Sequence, residues 1–392
     1  MNFKELSKKI IGKETAAIFF AAVCFRVVVY VFSALILAMQ RADTWSFTLG
    51  DFINGWTRWD ALHYVKIAEL GYSGAVEDGQ HLFLVFFPLF PYLMRAVGTV
   101  IGNTELAGML VSTLTYAGGC VYLYRIGEKH AGKEAGRNLA LLVAAYPFSF
   151  FFGGIMTESL FLLVSAATLY YLDVHKWWWA VLFGALATMT RIQGVLLGIP
   201  ALVEAFMVYR PDKALKEKAY KQVRGFVGRC ASFLFMLLGL IYYLWINYRV
   251  EGDPFRFFYY QENHWNQGHG NIFNTISYLF RYSFGENYNL ATKTALWIPQ
   301  MVLVMVSAVF LVFSVKKIRP MYYFYGAAYI YLTFSASWLL SSGRYFACNI
   351  PLFLAVAITG VKRKRFFATV AILSVMLQMI YLAGFLQGKM IM

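Results

Sequence analysis

The sequence predicts an all-α polytopic membrane protein, and three observations support this fold class. Only 14% of the 392 residues are charged and 60% are hydrophobic, whereas a soluble domain carries about 25% charged residues. Apolar runs near the roughly 20 residues that cross a bilayer recur along the whole chain. The basic residues, which give a formal net charge of +15, lie in short segments between these runs, where they mark cytoplasmic loops and not a nucleic-acid partner.

From these apolar runs we assign about eleven transmembrane helices. The first leads into an external loop, 43–103, and a second external loop covers 249–296. All of them belong to one integral-membrane domain, 1–392, in which we find no internal repeat. The assigned spans are 16–39, 106–124, 135–152, 155–171, 177–190, 192–209, 229–248, 297–315, 321–340, 345–361 and 366–386.

Two prolines interrupt the apolar stretch HLFLVFFPLFPYLMRAVGTVIG in the first external loop. Pro88 and Pro91 lie close together in it, and proline disrupts the interior of a helix. We therefore expect interfacial or re-entrant helices here and not a full span. The positive-inside rule then places in the cytoplasm the segments KHAGKEAGR, RPDKALKEKAYKQVRG, KKIR and KRKR and the N-terminal residues Lys4, Lys8, Lys9 and Lys13.

The densest ionisable cluster lies in NGWTRWDALHYVKIAELGYSG, just after the first span. One interpretation is an amphipathic helix at the membrane interface, with its charges facing water. The other is that Asp60, held between Trp59 and Tyr64, is a general base for a bound hydroxyl group. The predicted topology favours a functional role, because it puts Asp60 on the same external side as Glu158, Arg191 and Arg344.

Several motifs resemble those of the PIG-V family of mannosyltransferases, which belong to the GT-C class of integral-membrane glycosyltransferases. The first is RWDALHYVKIAELGY, followed by FFPLFPYLMR. In the same order as in the family come YPFSFFFGGIMTESLF, ATMTRIQG, GDPFRFFYYQENHW and SSGRYFACNIPLF. The resemblance covers residues 58 to about 352 and is closer to the shorter bacterial relatives than to the eukaryotic enzymes.

The resemblance implies an inverting transfer of a hexose, with mannose favoured, from a polyprenyl-phosphate sugar donor to a lipid or glycan acceptor. The reaction would take place on the extracytoplasmic face of the cell membrane. In the GT-C class an acidic residue of the first external loop is the catalytic carboxylate, and the matching residue here is Asp60. Its neighbours in the motif are candidate substrate ligands, namely Arg58, Trp59, His63 and Tyr64.

Further candidate ligands lie in the later motifs, and each has a structural alternative. Glu158 binds sugar hydroxyls or a metal, or it is a helix N-terminal carboxylate favoured by the helix dipole. Arg191 and Arg344 bind the donor phosphate, for which the planar guanidinium is suited, or they form structural ion pairs, Arg191 with Glu158. Tyr345 follows in the last motif; His264 and Trp265 contact the donor or are incidental loop residues.

No cofactor is expected with certainty, and the need for a divalent cation stays open. The active-site motif contains one aspartate, and a second acidic ligand would have to come from Asp43, Asp51, Glu77 or Asp78. His264 and His269 are poorly spaced for zinc. The four cysteines form no CxxC pair, so we predict no metal site from them.

Two other function classes remain open. A transporter or lipid flippase would also gather charges inside a helical bundle, but it would be expected to show inverted repeats and paired broken helices. A membrane scaffold would not require Asp60, Glu158, Arg191 and Arg344 to share one face. The sequence therefore favours the glycosyltransferase.

Overall fold

A computed structural model describes residues 12–40 and 47–391 of the chain. Helices make up nearly all of the regular structure there, and the described residues contain two isolated β-bridges and no named strand. The protein is therefore an all-α, multi-pass membrane protein, as predicted. The predictions made for Lys4, Lys8, Lys9 and Asp43 lie outside the described residues.

The first half of the chain forms α1 to α8, with short 3₁₀ segments at Leu82–Val85, Ser149–Gly153 and Ile192–Leu197. The α-helices are α1 (Lys13–Met39), α2 (Leu49–Trp56), α3 (Asp60–Gly74), α4 (Leu89–Ile101), α5 (Thr104–Ala145), α6 (Glu158–Asp173), α7 (Trp177–Thr188) and α8 (Gly198–Tyr209).

The second half forms α9 to α19, with a 3₁₀ segment at Leu234–Leu237 and a π-turn at Lys293–Trp297. The α-helices are α9 (Pro211–Lys216), α10 (Tyr220–Phe233), α11 (Leu238–Glu251), α12 (Arg256–Trp265), α13 (Ile272–Phe284), α14 (Leu290–Thr292), α15 (Ile298–Phe313), α16 (Pro320–Phe334), α17 (Ser342–Phe346), α18 (Ile350–Lys362) and α19 (Lys364–Leu386).

Six helical segments of the described chain are long and apolar enough to cross a membrane. Three shorter apolar helices, α4, α7 and α18, accompany them. The total of about eleven spans remains a prediction. The six segments are Lys13–Met39, Thr104–Ala145, Ile192–Tyr209, Tyr220–Glu251, Leu290–Phe313 and Lys364–Leu386.

The longest helix, α5, turns back on itself within a segment predicted to be a cytoplasmic loop. Ala131 (φ −150°) and Gly132 (φ 81°, ψ 179°) are not helical. A Cβ atom on Gly127 would lie 2.7 Å from the Cα atom of Gly136, although positions 127 and 136 would be about 13 Å apart in a straight helix. The two arms of α5 therefore form a hairpin, which corresponds to the two spans predicted at 106–124 and 135–152.

The double-proline stretch forms two short helical segments and not one long helix, as the sequence indicates. A 3₁₀ turn, Leu82–Val85, is followed by α4, with Pro88 as its N-cap residue and Pro91 in its first turn. The missing amide hydrogens of proline cost little at these positions. With 13 residues, α4 is about 20 Å long and is too short to cross a bilayer.

The predicted external loop 249–296 is largely helical. Two amphipathic helices, α12 and α13, occupy most of it. The peptide backbone of His269 pairs with that of Ala336 in a β-bridge, which ties the connection between these two helices to the segment after α16.

Helix α6 links two separate ionic networks. Its first residue, Glu158, and its last residue, Asp173, are both buried, and 16 residues of helix separate them by more than 20 Å. Asp173 accepts hydrogen bonds from Lys129 (Nζ to Oδ1, 2.9 Å) and Tyr322 (3.1 Å) and forms an ion pair with Arg319. Lys129 and Arg319 belong to segments predicted to be cytoplasmic, so these segments meet at the end of α6 opposite Glu158.

Candidate active site

A cavity of about 610 Å³ lies at the Glu158 end of α6 and contains most of the predicted site. It is lined by the start of α3, by the 3₁₀ turn before α4, by the connection between α7 and α8, by α12 and by α17. The eight predicted residues that line it are Trp59, Asp60, His63, Tyr64, Arg191, Trp265, Arg344 and Tyr345.

Four charged side chains form a continuous chain of ion pairs beside this cavity. An oxygen of Asp60 (Oδ2) lies 2.7 Å from Nη2 of Arg344. The Nε atom of Arg344 lies 2.9 Å from Oε1 of Glu158, and the same oxygen pairs with Arg191. Residues from α3, α6, α17 and the α7–α8 connection are thus brought together, although they are far apart in the sequence.

Local backbone structure places both carboxylates at helix N-termini. Asp60 is the first residue of α3 and Glu158 is the first residue of α6, positions where the helix dipole stabilises a negative charge. Trp59, immediately before Asp60, has φ 55° and ψ −127°. Such a conformation costs a non-glycine residue about 1–3 kcal/mol and often marks a functional site.

The environment keeps Asp60 ionised. Burial of its carboxyl group opposes ionisation, but the adjacent guanidinium of Arg344 outweighs burial and holds the pKa of Asp60 below its usual value. Glu158 is only 1% exposed and lies behind the two arginines. Buried charges need such pairing, because each one loses several kcal/mol of hydration energy. The two carboxylates and two guanidinium groups are balanced in charge.

Aromatic rings complete the charged part of the cavity. The guanidinium carbon of Arg191 lies 5.1 Å from the centre of the Tyr345 ring, and that of Arg344 lies 5.5 Å from it. Arg344 also lies 5.8 Å from the ring of Phe151. These distances are within the range of cation–π attraction.

The other part of the cavity combines aromatic rings with unpaired polar groups. The imidazole of His63 packs against Phe83 and Phe86 with ring centres 4.9 and 5.2 Å apart, and Trp265 contacts it edge-on. Burial lowers the pKa of His63, so the ring is neutral near pH 7. Nδ1 of His63 and Nε1 of Trp59 are buried and have no hydrogen-bond partner among the described residues.

Three predicted ligands do not line the cavity. Arg58 donates hydrogen bonds to the carbonyl oxygens of Gly55 (3.1 Å) and Leu386 (2.9 Å), and so connects the motif to the end of α19. The exposed ring of His264 lies 3.2 Å from the side-chain oxygen of Gln80. Glu158 contacts the cavity only through the arginines that it binds.

Some cavity residues were not predicted from the sequence. Gln261 and Gln267 are hydrogen-bonded to each other (Nε2 to Oε1, 2.8 Å) and line the cavity, as does Thr157, whose hydroxyl oxygen accepts a hydrogen bond from Arg191 (3.1 Å). Gln261 precedes Trp265 by four positions on α12, and this spacing places both on one helix face. The spacing of Gln261 from the predicted ligand Trp265 was therefore the one sequence feature that could have identified Gln261 as a cavity residue.

The described residues contain no group of three or more His, Cys, Asp and Glu side chains placed to hold a metal ion. Two of the acidic residues considered as second ligands, Asp51 and Glu77, have other partners. Asp51 accepts a hydrogen bond from the Thr48 hydroxyl (2.8 Å), and Glu77 pairs with Lys66 (3.1 Å).

Comparison with known proteins confirms the fold. Residues 87–234, which include Glu158 and Arg191, match the family described as dolichyl-phosphate-mannose-protein mannosyltransferase. The crystal structure of ArnT from Cupriavidus metallidurans bound to undecaprenyl phosphate superposes with a TM-score of 0.54 at 15% identity, covering 87% of this chain. The crystal structure of the same protein in the apo state superposes with a TM-score of 0.53 at 14% identity, covering 89% of this chain. No curated protein matches the sequence.

The likeness extends over only part of these structures. This chain covers 60% and 61% of the two ArnT chains. At such low identity the likeness concerns the fold, and it supports the predicted GT-C-like arrangement of helices.

Proposed function

We propose that the protein is an inverting glycosyltransferase that moves a hexose from a polyprenyl-phosphate sugar to a hydroxyl group of a lipid or glycan acceptor. The observation that carries this proposal is the contact between Asp60 and Arg344 at the wall of a cavity of about 610 Å³. An ionised carboxylate and an anion-binding guanidinium are then available to the same ligand. Transfer from a lipid phosphate needs both groups.

Asp60 is the general base in this mechanism. It accepts the proton of the acceptor hydroxyl while the acceptor oxygen attacks the anomeric carbon of the sugar. The bond between that carbon and the phosphate oxygen breaks, and its electron pair leaves with the phosphate. Attack opposite to the leaving group inverts the configuration of the anomeric carbon.

Arg191 and Arg344 bind the phosphate. Negative charge on the phosphate grows as the bond to the sugar breaks, so guanidinium groups beside it stabilise the transition state more than the bound donor. The two guanidinium groups are held close together because both pair with Oε1 of Glu158. Glu158 thus orients the phosphate-binding groups.

The aromatic part of the cavity would hold the sugar. Indole and imidazole rings such as those of Trp265 and His63 provide flat apolar surfaces for a sugar ring. The unpaired Nδ1 of His63 and Nε1 of Trp59 are available for sugar hydroxyl groups, since a buried polar atom gains from a hydrogen bond.

The comparisons support a lipid-phosphate donor. The matching family is named for mannosyl transfer from dolichyl phosphate, and the similar ArnT structure was solved with undecaprenyl phosphate. We extend this to mannose as the sugar, to a bacterial PIG-V relative as the family, and to the extracytoplasmic face as the side of the reaction, from the motifs and the loop charges.

Transfer by the purified protein reconstituted in proteoliposomes tests the function. Radiolabelled polyprenyl-phosphate mannose and glucose are supplied with membrane glycolipid extracts, and labelled products are analysed by mass spectrometry. We expect a new glycoside and free polyprenyl phosphate in equal amounts. If the lipid donor crossed the bilayer intact with no bond cleaved, the protein would instead be a flippase.

A further inference from the structure

Arg344 is shared between two carboxylates, and this sharing sets it apart from Arg191. Its Nη2 atom contacts Asp60 and its Nε atom contacts Glu158. Arg191 pairs with Glu158 and donates to the hydroxyl oxygen of Thr157. Among the described residues, Arg344 is the only cation within ion-pair distance of Asp60.

The donor phosphate needs the same guanidinium. Arg344 lines the cavity and its side chain is 11% exposed, so an anion in the cavity can reach it. Asp60 also lines the cavity. A phosphate bound to Arg344 in this cavity would therefore lie beside the carboxylate of Asp60.

We infer that Asp60 and the leaving phosphate compete for Arg344, and that protonation of Asp60 releases this guanidinium to the phosphate. This inference rests on the proposed function. It assigns to Arg344 the role of coupling the transfer of a proton to the departure of the leaving group.

The charges balance through this step. The donor is a phosphodiester with one negative charge, and Asp60 carries another. When Asp60 takes the acceptor proton it becomes neutral, and the phosphate leaves as a monoester whose charge approaches −2. The total negative charge beside Arg344 is thus almost unchanged, while its centre moves from the carboxylate to the phosphate.

Glu158 makes this shift possible without a large movement. It is buried, and one of its oxygens, Oε1, contacts both arginines. The contact between Glu158 and the Nε atom of Arg344 keeps the guanidinium in place when protonated Asp60 no longer pairs with it. Glu158 is therefore a positioning residue.

Binding of the product tests the competition independently of catalysis. The probe is a polyprenyl phosphate monoester, titrated into the full-length protein in detergent. An Arg⁺ neighbour typically shifts the pKa of an aspartate by 1–3 units, an interaction worth a factor of about 10 to 1,000. Asp60→Asn removes the competing charge at nearly constant shape, so we expect it to bind the probe about tenfold tighter or more.

A double-mutant comparison identifies the cause of this gain. In an Arg344→Gln background, Asp60→Asn should bring no more than a small gain, since no shared guanidinium remains. Direct repulsion between Asp60 and the phosphate would give a gain that persists there. Asp78→Asn is the matched control: Asp78 is an exposed aspartate of the same loop with φ 51°, a conformation that asparagine also adopts readily.

The outcomes are distinct. The competition for Arg344 would be overturned if Asp60→Asn bound the phosphate monoester with wild-type affinity. It would also be overturned if Asp60→Asn gained as much affinity in the Arg344→Gln background as in the wild type. If Arg344→Gln does not fold, Arg344→Met replaces it, because it also lacks the positive charge, and an undiminished gain in affinity there would overturn the competition as well. A normal binding comparison without any sugar transfer would overturn the proposed function and leave the competition intact.

Discussion

The guanidinium of Arg191 lies 5.1 Å from the centre of the Tyr345 ring, and Arg344 faces the same ring at 5.5 Å. Two cations this close would repel each other in an apolar environment. The electron-rich face of the ring, together with Glu158, offsets that repulsion. Tyr345 therefore contributes through its ring, and its hydroxyl group is not needed for this role.

Replacing Tyr345 separates these two parts of the side chain. Tyr345→Phe keeps the ring, so we expect transfer within about threefold of the wild type. Tyr345→Leu loses a cation–π attraction of about 0.5–2 kcal/mol, which corresponds to a two- to thirtyfold loss of kcat/KM for the donor. Steady-state kinetics normalised to folded protein measure both. An equal loss in both variants would assign the role to the hydroxyl group.

Asp60→Asn should abolish most of the transfer activity. The substitution keeps the shape of the side chain but removes the proton acceptor, and general-base catalysis typically contributes 10²–10⁴-fold. We expect kcat to fall by roughly that factor, while Asp78→Asn stays near the wild type. Turnover of Asp60→Asn within about threefold of the wild type would remove Asp60 from the mechanism and direct attention to Glu158.

The pH profile should reveal the two partners of Arg344. The pKa of Asp60 is lowered in the folded protein, so its ion pair stabilises the fold at neutral pH, and this contribution is lost as the pH falls below about 4 through the folded value. The activity of the free enzyme, kcat/KM, should therefore be flat from about pH 7 down to about pH 5 with respect to Asp60.

When the donor is bound, its phosphate also pairs with the guanidinium of Arg344. The ion pair between Arg344 and Asp60 is then weaker, so the pKa of Asp60 rises. The acidic limb of kcat should then lie at higher pH than the limb of kcat/KM. The charged and titratable groups that interact with Asp60 include Arg344, His63, Arg191 and Tyr64. His63 is already neutral near pH 7 because burial lowers its pKa, and burial raises the pKa of Tyr64, so its hydroxyl group stays protonated over the acidic range. Coincident limbs would mean that Arg344 stays with Asp60 throughout.

The predicted topology can be tested by labelling single cysteines in a cysteine-free background. Positions 60 and 253 are expected to be extracytoplasmic, and positions 216 and 364 cytoplasmic, because the loop charges divide in this way. An impermeant maleimide should label the first pair in intact cells and the second pair only after permeabilisation. Labelling of position 216 from outside would reverse the orientation.

The sequence was sufficient to predict the helical membrane fold and the four charged residues that meet at the cavity. Charged residues beside apolar runs are conspicuous because an unpaired charge near the membrane is costly. Glu158, Arg191 and Arg344 stood out for that reason, and a pair between Arg191 and Glu158 was one of the interpretations. Asp60 was identified from its ionisable cluster and from the resemblance, but its contact with Arg344 depends on long-range packing and could not be derived from local pattern.

Other parts of the site carry weaker signals. Gln261 and Gln267 are ordinary polar residues of a segment predicted as a loop, and only their tertiary position gives them a shared hydrogen bond in the cavity. His264 was predicted as a ligand because histidine is chemically versatile, yet its ring is exposed and lies by Gln80. Side-chain direction at the end of α12 decided between His264 and its neighbour Trp265.

Arg26 illustrates how a prediction from charge alone is refined by packing. A charged side chain inside the first predicted span is costly unless it is paired, and Arg26 is fully buried in α1. Its Nη1 atom donates to the carbonyl oxygen of Ser149 (2.9 Å), and its guanidinium lies 4.5 Å from the centre of the Tyr116 ring. The partner is thus a carbonyl group freed by the break between α5 and α6, which no sequence pattern specifies.

Helix α6 is fastened at both ends by buried ion pairs, at Glu158 on the cavity side and at Asp173 on the other. Because both ends are paired, α6 can neither slide along its axis nor rotate about it without breaking several charged contacts at once. It is therefore expected to act as a fixed frame throughout the reaction cycle. An opening that admits a lipid substrate is then expected to come from elements without buried ion pairs at both ends, such as the amphipathic helices α12 and α13.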